Sequence, residues 1–245
     1  MDSGYEKALV FPPDTPEELE QQPEKRLLPR RVPMPDLTPV FPQRLTDSGQ
    51  MFESKDPVRA FEDRSLTQIS RWLTGFDRGE LEVPLSDEAN HFAFVPKDAP
   101  PQPVAFPLAL PQNRFITLEF SQLEAGFLSL TVRCEEPVQL WAFFDERMDG
   151  QELNFYRLDC CNILRFDLQP GEHHLLSMEC YTMKYLRLAA RGGSCQITGA
   201  CVREYAAPQK SILPSALPNS MRMLWNAAAK TWRQNSVDLP MDCPS

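Results

Sequence analysis

The sequence predicts a mainly β protein: a β-sandwich, preceded by a proline-rich, partly ordered β region and followed by one amphipathic helix. Three observations lead there. Apolar residues recur with period two from Phe115 to Tyr205, 17 of the 24 prolines fall between Pro12 and Pro111, and after Pro218 the apolar spacing becomes helical. The corresponding regions are residues 1–111, 112–207 and 208–245.

In the first region, LLPRRVPMPDLTPVFP from Leu27 to Pro42 cannot sustain a helix or donate a full ladder of sheet hydrogen bonds. Each proline removes an N–H and fixes φ, so the segment reads as an extended linker or an edge. KDAPPQPVAFPLALP, from Lys97 to Pro111, has the same physics and marks a boundary. Between them, Val58, Phe61, Ser65, Ile69 and Trp72 have approximate helical spacing, yet LTQISRWLTG from Leu66 also serves as a strand. Both alternatives stand for that stretch.

The second region alternates through Ile116/Leu118/Phe120, Leu128/Leu130/Val132/Cys134, Val138/Leu140/Ala142/Phe144, Leu164/Phe166/Leu168, Leu176/Met178/Cys180 and Leu186/Leu188/Ala190. These are half-buried strands. The interleaved Ser129, Thr131, Arg133, Arg165, Asp167 and Arg187 are polar, as expected where one sheet face meets water. Gln169-Pro170-Gly171-Glu172, Asp149-Gly150 and Gly192-Gly193 supply turn chemistry between them.

In the third region Met221, Leu224, Trp225, Ala228 and Trp232 form one apolar stripe, with Asn219 or Ser220 available as N-cap and Pro240 as a stop. A stripe with two tryptophans has to pack against something. It either docks on its own sandwich or belongs to a helical domain of which this is the first helix.

A formal charge of −9 excludes a general binder of the nucleic-acid backbone, which needs a net basic face. No run of about 18 apolar residues marks a membrane span, and the first twenty residues lack the apolar core of an export signal, so a soluble chain is expected, cytoplasmic or of unknown location. The seven cysteines, Cys134, Cys160, Cys161, Cys180, Cys195, Cys201 and Cys243, are odd in number and irregularly spaced, which favours thiols over a disulfide framework. There is no CxxC pair, and His173 and His174 near Cys180 make only a poor zinc pattern; no metal and no cofactor are expected.

By residue type alone, the catalytic constellations are weak. GxSxG, P-loop, GxGxxG and HExxH motifs are absent. Asp145-Glu146 invites an acid/base reading, but adjacent carboxylates are more simply a solvated loop. Trp72 and Trp141 are of a type that stacks on sugar rings, although aromatics inside strand-like patterns favour the core. Trp141 falls on the polar phase of its strand, which keeps a carbohydrate-binding module as an alternative.

The C-terminal segment adds a family resemblance. Trp225-Asn226-Ala227-Ala228, then Thr231-Trp232-Arg233-Gln234-Asn235-Ser236-Val237-Asp238, then Leu239-Pro240-Met241-Asp242-Cys243-Pro244-Ser245 resembles the entry to the catalytic domain of the α-L-rhamnosidases of glycoside hydrolase family 78. Upstream, Leu118-Glu119-Phe120, Gly126-Phe127, Phe143-Phe144-Asp145-Glu146, Tyr181–Leu186 and Arg203-Glu204-Tyr205 are similar to the β-sandwich preceding that family's barrel. Leu28–Met34 resembles a connector between sandwiches.

The resemblance implies a parent that cleaves terminal α-L-rhamnosides with inversion, using a carboxylic acid and a separated carboxylate. Its partner would be a rhamnose-containing glycan. Asp242 matches the motif aspartate that accepts hydrogen bonds from sugar hydroxyls, making it the one candidate substrate-binding residue. The family's general acid lies a few residues after this aspartate, past Ser245, and its general base lies later still. The resemblance therefore assigns no catalytic residue to this chain, which is expected to be inactive by itself. Its helix would be the first of an incomplete (α/α)6 barrel. A noncatalytic sugar-binding module and a purely structural buttress are the other two readings.

Overall fold

The computed structural model describes residues 33–59, 64, 67–80, 85–97, 100–157, 160–208 and 218–237. The described residues from Met34 onward form one compact unit. It is mainly β, as the alternation predicts, with one long helix near its C-terminal end.

In chain order the strands are β1 (Pro39–Val40), β2 (Arg44–Glu53), β3 (Gln68–Ser70), β4 (Leu73–Thr74), β5 (Phe92–Pro96), β6 (Gln102–Pro103), β7 (Leu108–Leu110), β8 (Arg114–Cys134), β9 (Val138–Asp145), β10 (Met148–Asp149), β11 (Glu152–Leu153), β12 (Ile163–Leu168), β13 (Gly171–Leu176), β14 (Tyr181–Arg191) and β15 (Cys195–Glu204). A short helix α1 (Leu85–Ala89) precedes β5, and α2 (Asn219–Gln234) follows β15. Among the described residues, eleven strands make one antiparallel sheet, while β3–β4 and β10–β11 form separate two-stranded ribbons.

The sheet is organised by β8. Its first half pairs with β2 and β14, and its second half with β13 and β15. Glu119 is opposite Tyr185 and Glu124 opposite Met183, so Phe120–Leu123 of β8 face Lys184 alone on β14. Surplus residues on one strand form a bulge, which bends it. The inward phase of both halves, Ile116, Leu118 and Phe120 with Leu128, Leu130, Val132 and Cys134, lines one core with β9, β14 and β15. The sheet thus curls over itself as a sandwich. Gly126 permits the close approach of β15, since a Cβ there would collide with the Arg203 carbonyl oxygen.

A second core covers the outer face of the first half. Phe115, Trp141, Phe143 and Ala189 are buried there beneath Phe92 and Ala89, with Leu153 and Phe155 closing the other side. This second cover corrects the simple alternation. Arg187, expected to face water, is 1% exposed. It stands beside Thr117 in register, which itself stands beside Asp47, so one row crosses β14, β8 and β2. Its guanidinium donates to Thr117 Oγ1 at 2.9 Å, to Asp47 Oδ2 at 3.3 Å and to the Gln151 carbonyl at 3.0 Å. The Phe115 and Phe94 rings flank it at 4.4 and 4.9 Å from their centroids. Burial pulls the guanidinium's pKa down, and the Asp47 carboxylate opposes that shift.

Two further expectations change, and one open alternative is decided. The alternation Leu176/Met178/Cys180 is not a strand: β13 ends at Leu176, and Met178 is 97% exposed in the following loop. The stretch after Leu66 forms the β3–β4 hairpin rather than a helix. Neither Asn219 nor Ser220 caps α2; Pro218 is the N-cap and makes no side-chain cap bond, and the helix ends at Gln234, before Pro240. Pro218 suits the start because the N–H it lacks would have had no partner within the helix. Left-handed φ values at Gly150 and Gly192 match two of the predicted turns.

Arg187→Ala leaves Asp47 buried without its cation and is expected to lower unfolding stability by about 3–5 kcal/mol. The pair Arg187→Met with Asp47→Asn should lose clearly less. Urea midpoints of the three proteins check both.

Candidate functional site

The most distinctive feature of the surface is the way α2 sits on the sandwich. Successive helical residues advance by about 100°, so Lys230 lies about 180° around the axis from Met221, the first residue of the predicted apolar stripe. The Lys230 side faces the sheet. Lys230 Nζ pairs with Glu124 Oε2 at 2.7 Å, and Arg233 Nη2 with Glu204 Oε2 at 3.2 Å. Arg233 also donates from Nε to the Ala207 carbonyl, and its own carbonyl accepts the Ala207 N–H at 2.9 Å. Gln234 and Val237 are buried beside these contacts.

The apolar stripe faces the other way. Met221, Leu224, Trp225 and Trp232 are 50%, 64%, 40% and 58% exposed. The helix therefore meets its own sandwich through its polar side. Among the described residues the four large apolar side chains of the stripe stay exposed, so of the two alternatives the sequence left, docking of the stripe on its own sandwich is not what the structure shows. Burial pushes the Glu124 carboxyl up from the usual carboxylate range; Lys230 opposes the shift, and Glu204 adds to it.

Asp145-Glu146 is not an acid/base pair. The Asp145 side chain is fully buried at the end of β9 and accepts from the Arg147 N–H, Arg157 Nε and Asn162 Nδ2 at 3.0, 3.1 and 3.1 Å. The same Arg157 reaches Glu146 Oε2 at 3.0 Å. One guanidinium clamping both carboxylates makes this a structural corner.

The tryptophans divide. Trp141 is 0% exposed, because its polar-phase face is covered by Phe92, edge-on at 4.9 Å. It cannot stack on a sugar. Trp72, which the pattern favoured as core, is 85% exposed at the turn of the β3–β4 hairpin, with the Arg71 guanidinium 4.9 Å from its ring centroid.

Among the described residues no group of three or more His, Cys, Asp or Glu could hold a metal. His173 Nε2 lies 2.6 Å from the Gln169 carbonyl oxygen, while His174 approaches Glu172 at 3.8 Å. No described helix is long and apolar enough to cross a membrane. Asp242 lies outside the described residues.

The residues that hold α2 escaped sequence reasoning. Lys230 and Arg233 occupy the polar face that any amphipathic helix turns to solvent. The usable signal was Glu124, a carboxylate amid the apolar pattern of β8.

Fold and surface together define a β-sandwich carrying a helix with an unfilled apolar side. No protein-family model matches the chain, and no curated protein matches it. Solved structures do. The family 78 rhamnosidase of Bacillus sp. GL1 aligns with a TM-score of 0.57 and 20% identity, over 71% of this chain and 20% of that one. A rhamnosidase from Klebsiella oxytoca with rhamnose bound aligns with a TM-score of 0.46 and 11% identity, over 80% and 36%. A pectin-binding carbohydrate-binding module gives 0.26 and 16%, over 44% and 75%. This chain thus shares its fold with part of the Bacillus enzyme and spans one fifth of that enzyme's length.

Glu124 generates a pH prediction. In the unfolded chain it titrates near 4.5, and in the folded protein higher, so the folded state holds the extra proton between those values. Its contribution to stability accordingly falls as pH rises through that window. Glu124→Gln should flatten this part of the profile, as read from urea midpoints across pH of about 4 to 7.

Proposed function

We propose that this chain is the β-sandwich scaffold of an α-L-rhamnosidase-like glycoside hydrolase, and that α2 is the first helix of its catalytic barrel. The observation that carries this reading is the orientation of α2. Its polar side is fastened to the sandwich by Lys230–Glu124 and Arg233–Glu204, so its apolar side is presented to something else. A barrel of helices needs such a face from each of its members. The fold shared with the Bacillus rhamnosidase and the Trp225–Ser245 sequence pattern support the same reading.

On this reading the chain supplies scaffold rather than acid or base. Asp242 contributes to the sugar-binding floor, and the substrate of the complete enzyme is a terminal rhamnoside. The test is the reading frame downstream of the codon for Ser245. It is expected to continue into Arg-Glu and Gly-Trp-x-x-Asp, and the longer protein to release rhamnose from an aryl α-L-rhamnoside that the 245-residue chain leaves intact. A stop codon there, or a longer protein inactive on every rhamnoside, overturns the proposal. Leu224→Ser with Trp232→Ser should change the stability of the 245-residue chain by no more than about 0.5 kcal/mol per site, because both side chains are already exposed. The same changes should destabilise the longer protein.

A second reading, a noncatalytic carbohydrate-binding module, rests on Trp72. With Arg71 stacked on it, the indole offers its other face to a sugar ring. Titration with oligosaccharides should then shift tryptophan emission, and Trp72→Ala should remove the shift. If no oligosaccharide perturbs it, this reading fails.

A further inference from the structure

Cys134 is the last residue of β8 and Cys195 the first of β15, and the antiparallel register places them directly opposite one another. Both side chains point into the sandwich core, and both thiols are free. Directly opposed residues in an antiparallel pair have Cβ atoms about 4.5–5.5 Å apart, and a disulfide needs about 3.5–4.5 Å, so a closure of about 1 Å between the middles of those ranges separates the two states.

The surroundings hold this end of the sheet together. A Cβ at Gly193 would collide with the Pro137 carbonyl oxygen, so the loop after β8 lies tightly against the turn before β15. The Ser194 N–H donates to Glu136 Oε1 at 2.9 Å, and Ser194 Oγ accepts from the Gln112 N–H at 3.1 Å. A surface groove bordered by Leu110, Arg133, Glu136 and Gln196 runs to both cysteines.

We propose that Cys134 and Cys195 are a latent cross-strand disulfide that staples β8 to β15 when the protein meets a small disulfide oxidant such as oxidised glutathione. The chemistry balances without a metal. The thiolate of one cysteine attacks the oxidant and releases one glutathione thiolate; the second cysteine then displaces the other from the mixed disulfide. Two protein thiols become one S–S bond, and two glutathione thiols carry away the protons and electrons. Burial, with the neighbouring Cys134 thiol adding to it, pushes the Cys195 thiol up to about 12, so the folded pair exchanges slowly. Bond formation is therefore fastest when the strand ends separate, during folding or partial unfolding.

The experiment uses the full 245-residue chain. Reduced protein is oxidised with glutathione disulfide in native buffer and, in parallel, during refolding from urea; remaining thiols are alkylated and the peptides mapped by mass spectrometry. The expected result is a linked peptide joining Cys134 to Cys195 as the dominant product, formed faster during refolding than from folded protein. The oxidised protein should unfold at higher urea than the reduced one, and the gain should vanish in Cys195→Ser. Recovery of both cysteines as alkylated thiols or glutathione adducts, or dominant pairing of either with Cys160, Cys161 or Cys180, overturns the proposal. The mapping is made on unaltered protein, so it decides even if the variant folds poorly.

Discussion

A single strand of 21 residues, β8, sets the conditions that every other part of the molecule meets. Its backbone groups need partners along its whole length, because an unpaired buried N–H or C=O costs as much as a lost hydrogen bond. β2 and β14 meet that need over the first half, β13 and β15 over the second. The change of partners follows the bend at Phe120–Leu123, and the bend turns one long sheet into two facing layers. Without it the inward residues of the two halves would line a flat sheet instead of enclosing a common core.

The same bend helps place the helix. Glu124, immediately after the bulge, is buried and holds Lys230, while Glu204 at the end of β15 holds Arg233. Partly buried ion pairs of this kind stabilise modestly, whereas burying a large apolar side chain contributes about 1.5–3 kcal/mol. If the sandwich were the only partner available to α2, rolling it through about half a turn would bury Leu224, Trp225 and Trp232 and be favoured. The Arg233–Ala207 backbone contacts and the two carboxylates hold it in the opposite orientation.

Much of this was legible in the sequence where one physical rule acted alone. Strands with one wet face show period two, and Val138–Phe144, Leu164–Leu168 and Leu186–Ala190 fall within β9, β12 and β14. The helix was legible from its stripe. What failed involved long-range packing. Arg187 and Trp141 sit on polar phases, yet β5, α1 and the segment around Phe155 cover that face and bury both. Asp47 carried the missing signal, since it occupies the buried phase of β2 with Leu45, Gly49 and Met51, and an inward carboxylate requires an inward cation. Trp72 failed in the opposite sense: among the described residues its short ribbon pairs with no other strand, so it has no core to enter. For the candidate site, the apolar side of α2 could be read directly. Its direction could not, because that depends on Glu124 and Glu204, 106 and 29 residues from their partners.

Two cores divide the work of the molecule. The inner one, between the layers, is aliphatic apart from a few aromatics and the Cys134–Cys195 pair. The outer one is built of aromatic rings threaded by arginines: Arg187 between Phe94 and Phe115, Arg59 over Phe155, and Arg191 over Phe92. Rings and guanidinium planes let charged groups lie within an apolar layer, provided each cation also meets an oxygen. Asp47, Glu152 and Glu53 supply those oxygens from β2 and β11. β2, β5 and α1 are thereby locked to β8, β9 and β14 by directional contacts as well as by area. That rigidity suits the seat of α2, since a helix held by two ion pairs keeps its orientation only as well as the sheet ends carrying Glu124 and Glu204 keep theirs.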